Sequence, residues 1–418
     1  MNLSDMKNAK LMLAISGLCL VLMFLAGDSL TSNWLNHKLT DEEYYVRQPN
    51  NDELNKVGIN ATVFLMTGNE TTENTNGTYS INTTLKTILF YNYYFHWNDY
   101  KFGLGSEPFK RSCSRTDCRT TLDRTEMDGA DVVVFYGRTL KTISEIPKRK
   151  YNDQLFLYFN TEPPVKGYGD AKRLGLEINI TVSYRLDSFI YWPYASTVLK
   201  TTDDSPYKPL SESELANKTI PVAWMVSRCS KSSTVRSEYV KELRKYIRVD
   251  IYGKCGNYSC PKREEKKCME LLDEKYKFYL AFENSICDDY ITEKSFRTLN
   301  YNLIPVVMGG GNYTRDLPPH SFIDTREFSS PKQLARYLDH LSRTPEEYME
   351  YFQWKHTYKI WRIERNTALV FCRLCEMLHD PGVTYYSNFD VADWWETDHC
   401  IWPEEKESKM MQLYHVYD

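Results

Sequence analysis

The chain has 418 residues and a mass of 49.3 kDa, a length that predicts two or three domains. Apolar residues make up 42% and charged residues 26%, which excludes a chain disordered throughout and a membrane protein with many spans. The formal net charge is only −4, so nothing favours binding to nucleic acid through bulk charge. We therefore expect no nucleic-acid partner.

An uncharged apolar run occupies residues 11–27. At about 1.5 Å per residue it spans roughly 26 Å as a helix, near the lower limit for crossing a bilayer. Lys7 and Lys10 precede the run and Asp28 follows it, which keeps residues 1–10 in the cytosol. We expect an uncleaved transmembrane signal-anchor, and the alternative is a cleaved signal peptide. Either reading places the rest of the chain in a secretory lumen.

Two further features agree with a lumenal position. Sequons for N-glycosylation follow the apolar run at Asn60, Asn69, Asn76, Asn82, Asn179, Asn217, Asn257 and Asn312. All cysteines except Cys19 also lie beyond the run, and an even number in an oxidising compartment predicts disulfides. The disulfide candidates are Cys113, Cys118, Cys229, Cys255, Cys260, Cys268, Cys287, Cys372, Cys375 and Cys400. Their full pairing does not follow from the sequence.

Residues 28–84 show no sustained hydrophobic period. Within them, Thr67 to Thr84 contains seven Thr and four Asn. This composition predicts an extended, glycosylated stem, and an irregular first subdomain is the alternative.

From residue 85 onward the pattern is that of an α/β protein. Short β-branched or aromatic runs predict buried parallel strands at 87–95, 131–136, 155–160, 220–226, 248–252, 277–282 and 303–308. Helical patterns occupy 234–247, 264–275, 292–300, 331–342 and 345–378. Prolines and polar residues at 206–218 mark a linker. We predict two α/β domains facing a cleft, at 85–215 and 216–380, followed by a tail at 381–418.

The stretch richest in chemistry follows the strand predicted at 277–282. Its residues are Glu283, Asn284, Tyr290, Thr292, Glu293 and Lys294. A helix that begins after Thr292 offers unpaired N–H groups to a phosphate, and Lys294 adds a full positive charge. Glu293 would instead bind a sugar hydroxyl. The residues alone favour the alternative, an ordinary capped helix with a solvated Glu-Lys pair, because helix starts of this kind are common.

This stretch closely resembles the signature of the α-1,3-fucosyltransferases. The resemblance continues through 304–309, 318–319, 321–323, 328–331, 334–338 and 351–354, and it covers most of residues 150–380. Members are type II Golgi membrane proteins with a stem and a GT-B-like fold, in which two Rossmann-type domains face a cleft. The resemblance implies transfer of L-fucose from GDP-β-L-fucose, with inversion, to a GlcNAc of glycoprotein glycans in the Golgi lumen.

The resemblance also implies roles for individual residues. Inversion requires a base for the acceptor hydroxyl, and the matching carboxylate is Glu162, which otherwise reads as a turn residue. The family more often has Glu-Ser-Pro where this chain has Glu-Pro-Pro. Arg236 and Lys294 would stabilise the departing GDP, although an exposed helix position is the alternative for Arg236. Further donor-binding candidates are Ser227, Tyr252, Asn284, Tyr290, Thr292 and Glu293. A core position is the alternative for Tyr252.

Neither a metal nor a cofactor is expected to be obligatory. The chain contains no Asp-x-Asp, and two cations are available for the diphosphate, so a divalent metal would at most stimulate. Zinc is an alternative use of Cys372, Cys375 and His379, or of Cys255, Cys260 and Cys268, but neither group has a clean paired-ligand spacing. The run from Tyr184 to Ser188 matches a family run and predicts domain-interface or pocket scaffolding.

The acceptor is the least determined feature. Residues 253–268 and 371–380 resemble members that fucosylate the innermost GlcNAc of N-glycans, and a Lewis-type or LacdiNAc antenna enzyme is the alternative. A non-catalytic Golgi lectin on the same fold and a transferase that uses another nucleotide sugar are further hypotheses. The Trp394-Trp395 pair either packs on the body or contacts acceptor sugar.

Overall fold

The computed structural model describes residues 84–164, 170–227, 234–363, 366–397, 399–401 and 414. The predicted cytosolic tail, the signal-anchor and nearly all of the stem lie outside these residues. Also outside them are Cys229 and the sequon residues Asn60, Asn69, Asn76 and Asn82. None of the helices within the described ranges is long and apolar enough to cross a membrane.

The first sheet contains six parallel strands in the order β2-β1-β3-β4-β5-β6. They are β1 Lys86–Phe90, β2 Cys118–Thr121, β3 Val132–Tyr136, β4 Leu155–Phe159, β5 Ile180–Ser183 and β6 Ile190–Tyr191. The predictions at 131–136 and 155–160 are confirmed as β3 and β4, whose apolar residues are buried on both faces. The strand predicted at 87–95 ends at Phe90.

The second sheet contains five parallel strands in the order β13-β12-β10-β8-β9. The remaining strands within the described ranges are β7 Ala195–Leu199, β8 Ile220–Met225, β9 Val249–Tyr252, β10 Tyr276–Phe282, β11 Ile286–Cys287, β12 Ile304–Met308, β13 Ile323–Asp324, β14 Tyr358–Arg362 and β15 Cys400–Ile401. The four strands predicted between 220 and 308 are confirmed as β8, β9, β10 and β12. The protein is therefore α/β with two parallel sheets.

Helices cover both faces of the second sheet. The helices are α1 Glu107–Ser112, α2 Glu212–Asn217, α3 Thr234–Leu243, α4 Glu265–Lys275, α5 Glu293–Leu299, α6 Tyr313–Asp316, α7 Pro331–Arg343, α8 Pro345–Glu350, α9 Ala368–Leu378 and α10 Val391–Glu396. Phe278 and Leu280 of β10 pack with α3 and α7, whereas Tyr279 and Ala281 pack with α4 and α5. Successive strand residues point to opposite faces, so this alternation places one helix layer on each side.

The closing helices predicted at 345–378 are only partly correct. Residues Tyr358–Arg362 form β14, which pairs antiparallel with β7. The chain becomes helical again in α9, which packs on the first sheet through Val370 and Phe371. This last helix of the 216–380 segment therefore joins the core of the first sheet, and two disulfides hold it there.

Three of the four described disulfides join cysteines 259, 257 and 113 residues apart in sequence, and the fourth, Cys260–Cys268, spans 8 residues. The described pairs are Cys113–Cys372, Cys118–Cys375, Cys260–Cys268 and Cys287–Cys400, and Cys255 is also disulfide-bonded. Cys118, Cys375 and His379 do lie within 4.8 Å of one another. Because both sulfurs are oxidised, they are not available as thiolate ligands, and the zinc alternative is wrong at this place.

The described sequons differ in exposure. Asn217, Asn257 and Asn312 are exposed. Asn179 is buried, its Oδ1 accepts from the Phe156 N–H at 2.9 Å, and its Nδ2 donates to the Tyr386 carbonyl at 2.8 Å. A glycan is attached through that same nitrogen, so this fold is incompatible with the glycan predicted at Asn179.

Candidate active site

The candidate site lies where strands of both sheets end at their carboxyl edges. Glu283 directly follows β10, and Glu162 follows β4 after two residues. In open parallel sheets this edge is where ligands bind, because strand ends and helix beginnings leave polar backbone groups there. Helix α5 begins at Glu293, as predicted, with Thr292 in the N-cap position.

Glu283 organises the connection from β10 to α5, residues 283–292, which we call the 283–292 loop. Its side chain is fully buried, and it accepts hydrogen bonds from the Thr292 N–H at 2.8 Å and the Thr292 hydroxyl at 2.9 Å. Lys294 Nζ donates to the other carboxylate oxygen at 2.8 Å. The Thr292 side chain, predicted to cap α5, therefore binds Glu283 and does not cap the helix.

The charges around Glu283 keep Lys294 protonated. Burial alone would lower the pKa of Lys294, but the carboxylates of Glu283 and Glu293 raise it above its ordinary value. Burial raises the pKa of Glu283, against the influence of Lys294. A cation thus sits in the first turn of α5, beside the N–H groups that a phosphate would approach.

Arg236 of α3 is the second predicted phosphate cation, and the structure places it near the first. It is buried and donates through Nη1 to the Phe282 carbonyl at 3.3 Å, one residue before Glu283. Lys294 binds Glu283, the next residue, so the two cations contact adjacent residues at the end of β10. Two cations at the end of one strand suit a diphosphate better than a single sugar hydroxyl.

Tyr290 connects the 283–292 loop to the end of β4. Its hydroxyl donates to Asn284 Oδ1 at 3.2 Å, and its ring lies 6.1 Å from that of Tyr194. The Tyr194 hydroxyl donates to the Thr161 carbonyl at 2.7 Å, directly before Glu162. Burial raises the pKa of Tyr290 well above its ordinary value, and the carboxylate of Glu162 adds to this rise. The predicted base and the predicted donor residues therefore share one site.

Glu162 is held by an ion pair that sequence reasoning missed. Its Oε2 lies 3.2 Å from Arg138 Nη1, and each side chain is about one quarter exposed. The Arg138 guanidinium also lies over the ring of Phe95, 5.0 Å from its centre. Arg138 follows β3, which is the neighbour of β4 in the first sheet. The sequence feature that could have identified it is a cation shortly after a strand adjacent to the one that precedes Glu162.

Ser227 and Tyr252 lie at the ends of β8 and β9. Tyr252 is buried, its ring stacks on Tyr258 at 5.0 Å, and its hydroxyl lies 3.0 Å from that of Tyr276. These contacts support the alternative that Tyr252 is a core residue and not a donor-binding residue. Ser227 is exposed beside Gly253, where φ is +96° and a Cβ would come within 2.8 Å of the Ser227 hydroxyl.

The run from Tyr184 to Ser188 anchors the C-terminal part of the chain. Arg185 donates to the Trp394 carbonyl at 2.7 Å, and Trp394 Nε1 donates to Asp187 at 2.8 Å. Trp395 is buried between Tyr158 and Tyr184, with ring distances of 5.8 and 5.6 Å. The Trp394-Trp395 pair therefore packs on the body, and this run is scaffolding, as predicted.

Comparison with known families matches both halves of the described chain. Residues 83–195 match the family described as Fucosyltransferase, N-terminal, and residues 215–394 match Glycosyltransferase family 10 (fucosyltransferase) C-term. A crystal structure of an alpha1,3-fucosyltransferase with GDP resembles the fold with a TM-score of 0.47 and 15% identity. That alignment covers 76% of this chain and 96% of the other.

Individual relatives are similar over most of the same region. Alpha-(1,3)-fucosyltransferase C of Drosophila melanogaster is 37% identical over 287 residues, 63% of this chain and 65% of the relative. Glycoprotein 3-alpha-L-fucosyltransferase A of the same species is 38% identical over 323 residues, 74% of this chain and 60% of the relative. The human 3-galactosyl-N-acetylglucosaminide 4-alpha-L-fucosyltransferase FUT3 is 37% identical over 285 residues, 66% of this chain and 75% of the relative. The chain thus spans less than two thirds of the two Drosophila proteins.

Proposed function

We propose that this chain, which belongs to glycosyltransferase family 10, the fucosyltransferases, transfers L-fucose from GDP-β-L-fucose in α-1,3 linkage to a GlcNAc of glycoprotein glycans. The observation that carries the proposal is a series of contacts between the two groups. The Tyr194 hydroxyl donates to the Thr161 carbonyl, directly before Glu162, and the Tyr194 ring lies 6.1 Å from that of Tyr290 in the 283–292 loop. Lys294 binds Glu283 of the same loop, and Arg236 binds the Phe282 carbonyl directly before it. A base facing a pair of phosphate cations is what an inverting transfer from a nucleotide sugar requires.

Glu162 is the proposed general base. An alcohol is a weak nucleophile at neutral pH, so a carboxylate takes the proton of the acceptor hydroxyl as the oxygen attacks the anomeric carbon. The bond to the GDP oxygen breaks on the opposite face, which inverts the configuration. Arg138 fixes the direction of the carboxylate through its ion pair, and base catalysis of this kind contributes about 10² to 10⁴ in rate.

Arg236 and Lys294 are the proposed stabilisers of the leaving GDP. Negative charge grows on the phosphate oxygens as the glycosidic bond breaks, and preorganised cations shielded from water stabilise that charge. Glu283 and Thr292 hold Lys294 in place through hydrogen bonds to its ammonium group. We propose that these groups need no obligatory metal, although a divalent cation can add to them.

The two parallel sheets fit the GT-B-like arrangement that we propose, with GDP-fucose held mainly at the carboxyl edge of the second sheet. The remaining donor residues proposed are Ser227, Asn284, Tyr290, Thr292 and Glu293. Glu293 is partly exposed in the first turn of α5, where a carboxylate suits a sugar or ribose hydroxyl better than a phosphate.

The proposed acceptor is the core GlcNAc of N-glycans. The name of one Drosophila relative specifies a glycoprotein substrate, which supports this choice. The name of the human relative specifies a galactosyl-N-acetylglucosaminide, and this keeps an antenna acceptor as the second candidate. We further propose a single-pass type II position in the Golgi membrane, on the strength of the run at 11–27, the sequons and the disulfides.

The test uses a secreted form that begins near Asp28. GDP release and acceptor mass are followed with GDP-fucose or GDP-mannose, and with an N-glycopeptide bearing an exposed core or N-acetyllactosamine. The proposal predicts a mass gain of one fucose on the glycopeptide and none with GDP-mannose. Transfer only to N-acetyllactosamine would move the acceptor to the antenna. Glycan binding without GDP release would favour the lectin alternative and contradict the enzyme.

A further inference from the structure

A segment near the C-terminus pairs directly with the 283–292 loop. Strand β15 pairs antiparallel with β11 in the register Ile286 to Ile401 and Cys287 to Cys400. The next loop residue continues the contact, because the Asp288 N–H donates to the His399 carbonyl at 2.9 Å. A disulfide joins Cys287 to Cys400 within the same pairing. We call residues 399–401 the strap.

The opposite side of the loop packs against a glycine turn after β12. A Cβ at Gly310 would overlap the backbone of Cys287, and one at Gly311 would overlap the side chain of Ile291. The turn has its own contact with the chain beyond the strap, since the Tyr414 hydroxyl donates to the Gly309 carbonyl at 2.9 Å. The loop is therefore held between the glycine turn and the strap.

The loop backbone also has a conformation that requires support. Asp289 has a φ of +56°, a left-handed value that residues with a side chain adopt less readily than glycine. Its carboxylate accepts from the Leu186 N–H at 3.2 Å and pairs with Arg315 at 2.9 Å. The next residue is Tyr290, which carries the connection to Asn284. The contacts of Asp289 with Leu186 and Arg315 therefore hold the turn that places Tyr290.

We propose that the strap is a positioning element of the donor site, which holds the 283–292 loop in the shape that presents Tyr290, Thr292 and Lys294 to the nucleotide diphosphate of the donor. The strap lies beyond residues 215–394, which match the family, so the match does not account for it. The inference rests on the proposed function, because it needs a donor at this loop.

The strap is expected to act on the free protein, in which it keeps the 283–292 loop ordered before nucleotide binds. With the strap in place, the loop is preorganised and a nucleotide binds without first ordering it. Without the crosslink, binding must restrict the loop, so affinity for the nucleotide falls. Once donor is bound the site has the same groups, including Glu162, so the rate at saturation changes much less.

The experiment compares two double variants of the full lumenal chain. Cys287→Ser with Cys400→Ser removes the strap crosslink, and Cys113→Ser with Cys372→Ser removes another long-range crosslink, which joins the end of α1 to α9 on the first sheet. GDP affinity is measured by calorimetry, KM and kcat with GDP-fucose, and Tm by thermal unfolding. We expect the strap variant to raise the Kd for GDP and the KM for GDP-fucose about tenfold, with kcat within about threefold of wild type. The control variant lowers Tm and leaves the Kd for GDP unchanged.

Each outcome decides the proposal. Equal GDP affinity in the strap variant and the wild type overturns it, as does an equal loss in both double variants, which would indicate general destabilisation. If the strap variant does not fold, Ile401→Ala keeps the disulfide and weakens only the packing of β15, and a Kd for GDP unchanged from wild type overturns the proposal. Failure of the wild type itself to bind GDP would refute the proposed function and not the strap alone.

Discussion

The ammonium group of Lys294 donates to the carboxylate of Glu283 at 2.8 Å, and that carboxylate has no exposed surface. The cation proposed to meet the donor phosphate, at the second residue of α5, is thus held by a buried anion at the end of β10. Because Glu283 also accepts from both polar groups of Thr292, one side chain fixes the loop end and the cation together.

Replacing Glu283 should therefore affect both stability and donor binding. We expect Glu283→Gln to lower the free energy of unfolding by about 2 kcal/mol, since Lys294 loses its buried charged hydrogen-bond partner and keeps only Glu293 at 3.5 Å. GDP affinity should fall as well, because Lys294 loses its restraint. Urea unfolding and calorimetric GDP titration measure the two effects. Wild-type values in both would show that Lys294 is held by other groups.

The ion pair between Arg138 and Glu162 predicts a kinetic effect without a binding effect. Arg138→Met should lower kcat about 10- to 100-fold, since a base displaced by about 1 Å loses this much rate. The Kd for GDP should stay at the wild-type value, because Arg138 lies at the end of the first sheet. Arg138→Lys keeps the charge and should retain more of the rate. An unchanged kcat in Arg138→Met would contradict the positioning role.

The burial of Lys355 leads us to expect that the stability of the protein rises with pH. It is buried, it donates to the Tyr301 carbonyl at 2.6 Å, and burial lowers its pKa from 10.5 to about 8, against the influence of Asp273. The unfolded chain then binds this proton more tightly than the folded protein. Below pH 8 the burial of protonated Lys355 lowers the free energy of unfolding by its full amount. This cost disappears as pH rises from about 8 toward 10.5, so stability increases by about 3 kcal/mol in all.

Lys355→Met should remove this contribution, so its free energy of unfolding should rise less between pH 7.5 and about 9.5 than that of the wild type. Lys266→Met is the matched control, because the Lys266 side chain is 85% exposed and should leave the pH dependence intact. Urea unfolding at each pH gives the comparison. Parallel curves for Lys355→Met and wild type would show that Lys355 titrates normally.

Glycan mapping tests the burial of Asn179. In protein secreted from cells and proteolysed to peptides, we expect Asn179 to be unmodified, because its Nδ2 is engaged in the fold. Asn257 and Asn312 are exposed and serve as the positive comparison within the same sample. Mass spectrometry of the peptides reports each position. A glycan at Asn179 in active protein would contradict the packing of β5 described above.

The local pattern of residues was sufficient to predict many of the strands and helices. β10 was predictable because all of its seven residues except Lys277 are apolar or aromatic, and they lead into polar residues before a helix start. β14 was not predictable, because Tyr358–Arg362 is stabilised by pairing with β7, more than 150 residues earlier in the chain. The same limit applied to α9, whose helical pattern was visible while its position on the first sheet was not.

The candidate site was likewise predictable only in part. Glu162, Tyr290 and Lys294 were found because each follows a recognisable strand or begins a helix within a known signature. The partners that orient them were missed: Arg138 and Glu162 follow different strands, and nothing in the sequence near Glu283 indicates that it binds Lys294. The strap was visible only as Cys400, one of several cysteines with no assigned partner.

The most direct test of the central claim is the rate of fucose transfer by Glu162→Gln at saturating GDP-fucose and acceptor, beside its affinity for GDP. The account predicts that kcat falls at least about 100-fold, because the acceptor hydroxyl loses its base, while the Kd for GDP stays at the wild-type value. A Glu162→Gln protein that binds GDP normally and transfers fucose at the wild-type rate would contradict it.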